Sequence, residues 1–338
     1  TSPMFGRLSL LFCLPLLAAT ASVPDFLKNS DYDYERCGKL PDVSKRVKRS
    51  GDDYDDAFQS QVMGGSPMAA GEQPWAVALL YNKKTLCSGT LVSRRHILTA
   101  AHCVYDSQFN GGEQMNMFGC DNVNNSAINI EYYLEHTAVY YGGGCLMTGE
   151  DDCTEKDLSK KTRLKSGTLF PFYEGHCKAG MDLLLLELDI AVTEFPHACL
   201  PHLHDTNSVN DEGTSFFALG YGSDPIADVR KHARLQKLDI GVKKDYCAHE
   251  YGDFTPDVVC FAERADADTC NGDSGGGMMT SINNRVFIIG ALSYGTSCNT
   301  LLAEGESAAR SQAFTDIRLF TATIDRELKI VYPYPKLT

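Results

Sequence analysis

From about residue 74 onward, short apolar stretches alternate with polar, turn-rich ones. Residues 74–80 (Pro-Trp-Ala-Val-Ala-Leu-Leu) and 86–92 (Leu-Cys-Ser-Gly-Thr-Leu-Val) flank a turn at 81–85 and predict two strands. Residues 97–100 predict a third short strand, and 181–188 a strongly apolar one. Further strands are predicted over 215–222 and 235–242, and a strand pair over 286–295. From Phe314 the tail predicts a strand and then a helix over 318–330, stopped by Pro333 and Pro335. Two regions break the rhythm. Residues 22–61 are polar and charged with little to bury, which predicts disorder. Residues 104–180 carry Asn-, Gly- and Lys-rich stretches, which predict surface loops.

At 338 residues and 43% hydrophobic, the chain can bury a sizeable core, and one long all-β domain could use most of it. Its 31 basic and 44 acidic side chains leave a formal charge of −13, which argues against nucleic acid as a partner. Thirteen cysteines point to an oxidising compartment. Near the N-terminus, Met4 and Arg7 precede an apolar run over 8–19 and a small-x-small site, Ala19-Thr20-Ala21. This reads as a signal peptide over 1–21, cleaved after Ala21 and carrying Cys13 away, so that an even number of cysteines remains. No later stretch reaches the length of a membrane span, so a soluble, secreted monomer with no membrane association is expected.

The chemistry concentrates in three separated blocks. Ser274 lies among Gly272, Gly275, Gly276 and Gly277, a run that bares backbone N–H groups around one hydroxyl. Alone, Gly-Asp-Ser-Gly is an ordinary surface-turn sequence. His102 follows the apolar run 97–100, and Asp182 opens the apolar stretch 181–188. An aspartate entering such a strand is costly unless hydrogen-bonded, and an imidazole supplies that partner.

These blocks, in the order His102, Asp182, Ser274, resemble the trypsin/chymotrypsin-fold serine proteases over roughly residues 62–330, and the divergent secreted trypsin-like proteins of nematodes in particular. The resemblance implies an all-β fold of two six-stranded antiparallel Greek-key barrels with the site between them and a C-terminal helix. It implies a propeptide over 22–61 and a protease domain over 62–338, with a loop insertion at about 104–180. Ser274 would be the nucleophile, His102 the base and Asp182 its orienter, with the N–H groups of Gly272 and Ser274 as the oxyanion hole. Zymogen cleavage would free the amine of Val62 to pair with Asp273. Here Gln61, and no basic residue, precedes Val62, while the basic cluster 45–49 lies twelve residues upstream.

The same resemblance implies the disulfides Cys37–Cys199, which would tether the propeptide, Cys87–Cys103, Cys247–Cys260 and Cys270–Cys298. A further family disulfide is absent at both ends, where Phe216 and Thr280 stand. Cys120, Cys145, Cys153 and Cys177 remain for the insertion, with pairing open; their spacing is too irregular for zinc. Asn124 begins a glycosylation sequon. No metal or other cofactor is expected.

For the substrate pocket, the resemblance aligns Asp268 with the aspartate that selects Arg or Lys. Thr269 would add polar lining, and Ser293, Tyr294 and Gly295 would meet the substrate backbone. Gln312 falls where the family has a glycine on the pocket floor. It could hydrogen-bond Asp268 and leave the pocket shallow or blocked, or the insertion before it could shift the register. The expected activity is a secreted zymogen cleaving after Arg or Lys, with protein or peptide substrates, an activating protease and protein protease inhibitors as candidate partners. The alternative is a catalytically idle homologue acting as a secreted binding or regulatory protein. An α/β-hydrolase is excluded, since there the serine comes first.

Overall fold

A computed structural model describes residues 23–40, 63–83, 85–104, 129–146, 153–170, 180–204, 213–223, 234–244 and 256–331, with the single positions 206, 225 and 247. The leader 1–21, the basic cluster 45–49, Gln61, Val62, Cys120, Asn124 and Cys177 lie outside the described residues.

Six strands close into a barrel: β2 (Ala76–Tyr81), β3 (Thr85–Leu91), β4 (His96–Thr99), β5 (Thr137–Tyr141), β6 (Lys160–Leu169) and β7 (Leu184–Leu188). Around the ring they run β2-β3-β4-β7-β6-β5. Seven more form one sheet: β1 (Ser66–Pro67), β8 (Phe216–Gly220), β9 (Gln236–Gly241), β10 (Val258–Ala262), β11 (Gly277–Ile282), β12 (Arg285–Tyr294) and β13 (Ser311–Asp316). Their order is β1-β9-β8-β11-β12-β13-β10. The helices are short: α1 (Ile130–His136), α2 (Cys298–Glu304) and α3 (Thr321–Glu327), with several 3₁₀ turns, one at Ile317–Phe320 just ahead of α3. No described helix is long and apolar enough to cross a membrane.

This corrects the expectation of two six-stranded barrels and a single C-terminal helix. The second unit is an open sheet of seven strands, and its edges explain why. The two-residue β1 adds to β9 through Ser66↔Lys237 and Pro67↔Gln236, making the seventh strand. At the other edge β10 pairs with β13. Between β10 and the exit from β9, the described residues show one backbone hydrogen bond, Lys244 N to Cys260 O at 2.9 Å, where closure would need a ladder. The stretch 286–295, expected as a strand pair, is one strand, β12.

Surface loops were expected over 104–180, yet two barrel strands come from this region. β5 alternates, with Thr137, Val139 and Tyr141 buried. β6 buries Thr162 and Leu164 while Lys160, Lys161, Arg163 and Lys165 face outward. So many charges on one face disguise a half-buried strand as a loop. Cys145 is bonded to Cys153 in the connection between β5 and β6.

Residues 23–40 are ordered, against the expectation of disorder. Leu27, Tyr32 and Cys37 are buried at 2%, 3% and 0% exposure. Cys37 is bonded to Cys199. Asp33 N donates to His197 Nε2 at 2.8 Å, and Arg285 Nη1 donates to the carbonyls of Tyr34 and Cys37 at 3.1 and 2.9 Å. Three anchors suffice to dock a segment whose remaining residues are mostly polar.

The barrel core includes Trp75, Leu79, Leu91, Ile97 and Leu98, each at 1% exposure or less. Fully burying one such side chain contributes about 1.5–3 kcal/mol. In the open sheet, Phe261 packs edge-on to Phe216 and Phe314, centroids 5.5 and 5.6 Å apart. Thr280 donates to Ser215 O at 3.1 Å. Packing and a hydrogen bond thus stand where the family disulfide is missing.

Candidate active site

β4 and β7 are antiparallel neighbours, registered Thr99↔Leu184 and Leu98↔Leu185. The end of β4 therefore lies beside the start of β7. His102 leaves the first and Asp182 enters the second. Asp182 is 2% exposed and grips His102 twice. His102 N donates to Oδ1 at 2.9 Å, and Nδ1 lies 2.7 Å from Oδ2. A carboxylate only accepts, so Nδ1 carries a proton and points Nε2 away from the aspartate. Ser293, from β12, donates its hydroxyl to the same Oδ2 at 2.6 Å. Thr315, from β13, donates to Asp182 O at 3.4 Å. The aspartate is thus held by both β-units.

Ser274 sits on the loop between Cys270 and β11. Gly275 has φ +77°, and a Cβ there would meet Thr99 Oγ1 at 2.1 Å and Ala100 N at 2.6 Å. Only glycine brings the serine loop this close to the strand that delivers His102. Ser88 N donates to Ser274 O at 2.8 Å, and Gly275 N donates to Leu292 O at 2.9 Å. The Ser88 hydroxyl donates to Gly272 O and accepts from Tyr221 N, both at 2.9 Å. Among the described residues, the N–H groups of Gly272 and Ser274 donate to no backbone carbonyl. Cys87 is bonded to Cys103 beside His102, and Cys270 to Cys298 beside Ser274. Cys247 is bonded to Cys260 away from the cleft.

Ser274 lines a cavity of about 170 Å³ with Thr269, Ser293, Tyr294, Gly295 and the Cys270–Cys298 wall. Asp268 does not line it. It is 2% exposed, and Gln312, equally buried, covers it. Gln312 Nε2 donates to Asp268 Oδ1 and to Thr269 Oγ1. Thr269 N and Arg264 N donate to the two Asp268 oxygens at 2.7 and 3.4 Å. Burial first, and then the nearby Glu263 charge, push the Asp268 carboxyl up to about 8. Glu263 accepts from Thr296 N and Arg310 N at 2.5 and 2.6 Å, so both its oxygens are used.

Asp273 is 1% exposed and accepts from Gly222 N and Cys270 N at 2.7 and 2.8 Å. Burial pushes its carboxyl up to about 7, against those two donors. Val62 is outside the described residues. The next residue, Met63, is buried, and its carbonyl accepts from Asp268 N at 2.9 Å.

The sequence reading missed the roles of Ser88, Glu263 and the Ser293 hydroxyl. Gly89 beside Ser88 was the one available signal, since glycine within a strand marks a close approach.

An all-β body that sets a glycine-flanked serine against the segment carrying an aspartate-held imidazole, with Cys103 Sγ 3.8 Å from Ser274 O, defines a protein of the serine-protease kind. A sequence model of the trypsin family matches residues 62–316, and the chain belongs to that family. It is 33% identical over 264 residues to the trypsin-like protease try-5 of Caenorhabditis elegans, covering 72% of this chain and 80% of that one. It is 28% identical over 255 residues to a venom protease of Bombus pensylvanicus, covering 70% and 89% of the two chains.

Proposed function

We propose that this protein is a secreted serine endopeptidase, made as a zymogen and acting on protein or peptide substrates. The observation that carries this reading is the double grip of Asp182 on His102, beside a cleft lined by Ser274. His102 Nε2 would take the proton of Ser274 Oγ as that oxygen attacks the scissile carbonyl. The same proton would then pass to the leaving amine, and the acyl group would leave the serine by the reverse sequence with water. Asp182 would stabilise the imidazolium, and the N–H groups of Gly272 and Ser274 would receive the oxyanion. Losing one such donor costs about 3 kcal/mol in transition-state stabilisation.

Secretion is supported by the apolar leader with its small-x-small site and by the disulfides, which suit an oxidising compartment. Activation is read from Asp273. A buried carboxyl pushed up this way is poised to accept an ammonium, and Met63 docks the chain five residues from it, at Asp268. The Val62 amine is the group that activation would deliver, and Cys37–Cys199 would keep residues 23–40 attached afterwards. Cleavage after Arg or Lys, which Asp268 would direct, is not carried into this reading, because Gln312 occupies its carboxylate.

Gln61 ahead of Val62 favours a second reading, an idle homologue that binds without cutting. An organophosphonate separates the two. We expect a single covalent adduct on Ser274, lost in Ser274→Ala, once N-terminal sequencing shows a chain starting at Val62. An unlabelled protein with that N-terminus would be the idle homologue.

A further inference from the structure

Gln312 stands on β13, with its backbone registered to Phe261 of β10 and its neighbour Ala313 registered to Tyr294 of β12. Strands on both sides hold the residue in place. Its side-chain amide spends its donors on Asp268 Oδ1 and Thr269 Oγ1. The geometry points to a plugged pocket: Gln312 closes off Asp268, and the cleft beside Ser274 takes an uncharged side chain no larger than about one six-membered ring, in place of arginine or lysine. The choice of substrate rests on the hydrolase reading above; the plug itself does not.

A guanidinium or ammonium entering this cleft would need an anion. Asp268 is reachable only if the Gln312 amide leaves, which breaks two hydrogen bonds and orphans a buried polar group. Glu263 is 5% exposed and already accepts from Thr296 N and Arg310 N. Neither carboxylate lines the cavity. A cation there would lose its water without gaining a partner. The upward shift of the Asp268 carboxyl to about 8 works the same way, since a protonated carboxyl offers no full charge at neutral pH. An uncharged side chain faces no such penalty. The cavity of about 170 Å³ is on the scale of the engineered cavity of about 150 Å³ that holds one benzene.

Benzamidine, a flat aryl cation, probes the pocket without requiring turnover. By calorimetry on the full-length protein, we expect no measurable binding to the wild type. Gln312→Gly should bind at least about tenfold more tightly than wild type, and Gln312→Gly/Asp268→Asn should lose that gain. Wild-type binding that disappears in Asp268→Asn would overturn the plug, as would a folded Gln312→Gly that binds no better than wild type. On labelled, active protein, peptide anilides ending in Leu or Phe should be cleaved at least about tenfold faster than matched Arg or Lys anilides; the reverse order would overturn the substrate assignment. Failure of Ser274 to take an organophosphonate would sink the hydrolase reading alone, with the benzamidine measurement still deciding the plug.

Discussion

Ser293 and Asp182 meet through one short hydrogen bond, Oγ to Oδ2 at 2.6 Å, on the same carboxylate oxygen that faces His102. A strand of the open sheet thereby orients a residue of the closed barrel. The site is assembled across the junction, and motion of one unit against the other would misdirect the imidazole.

Removing the Ser293 hydroxyl takes one donor from that carboxylate and leaves the two His102 contacts. Ser293→Ala should lower kcat about tenfold, in line with a charged hydrogen bond of about 1.5–3 kcal/mol only partly realised in the transition state. Asp182→Asn, which disturbs the tautomer itself, should lower kcat about 10⁴-fold. Steady-state kinetics on one uncharged anilide checks both. Equal losses in the two variants would remove the distinction between orienting the imidazole and orienting its partner.

Ser88 is 1% exposed and ties Gly272 O to Tyr221 N. Ser88→Ala leaves both groups short of a partner. We expect a loss of about 1–3 kcal/mol in stability, seen as a lower urea midpoint with an unchanged slope. Labelling of Ser274 by an organophosphonate should also slow, because Gly272 is one of the two proposed oxyanion donors. An unchanged midpoint would mean that water replaces the hydroxyl at this junction.

His197 is buried as the neutral ring, with Nε2 accepting from Asp33 N at 2.8 Å and Nδ1 2.8 Å from Ala198 O. Burial pulls its pKa down to about 4; the Ala198 carbonyl and Asp33 oppose that shift, and Arg94 and Arg36 add to it. The unfolded chain takes up this proton first, near pH 6.5, so the contribution of His197 to stability falls from pH 6.5 down to about 4 and then levels off. The protection factors of the Asp33 and Gly38 amides, taken against the intrinsic exchange rate at each pH, should fall over that window as residues 23–40 loosen. Protection factors that stay constant from pH 6.5 to 4 would show that the segment does not depend on the neutral ring.

Asp268 acts with the opposite sign. Its folded pKa of about 8 lies above the ordinary 3.8, so between those values the unfolded chain has released a proton that the folded one retains. Stability from this group is greatest below pH 4 and falls as pH rises to about 8. Asp268→Asn lacks that titration and can still meet Gln312 through its carbonyl. Its urea midpoint should gain on wild type steadily from pH 4 to pH 8. A difference independent of pH would show that the wild-type carboxyl is ionised throughout.

Parts of this molecule are legible without coordinates. The run at 97–100 and the run at 184–188 are apolar because nearly every residue of these two barrel strands is buried, and His102 and Asp182 stand out as polar residues at the ends of apolar runs. The glycines around Ser274 stand out because a close approach permits nothing larger. Other parts leave no local trace. β6 reads as a loop because its charges outnumber its two buried residues. Residues 23–40 read as disordered because the partners that dock Tyr32 and Cys37, namely His197, Cys199 and Arg285, lie far along the chain.

Taken alone, the order of residues determined the chemical cast: a histidine, an aspartate and a serine in family order, with cysteines to match. Apolar periodicity and glycine placement are local properties, and they survive in the one-dimensional record. Whether the second sheet closes, whether Ser293 reaches Asp182, 111 positions away, and whether Gln312 reaches Asp268, 44 positions away, depend on groups that are not neighbours in the sequence. Those contacts were decided by strand register and burial, which exist only once the chain has folded.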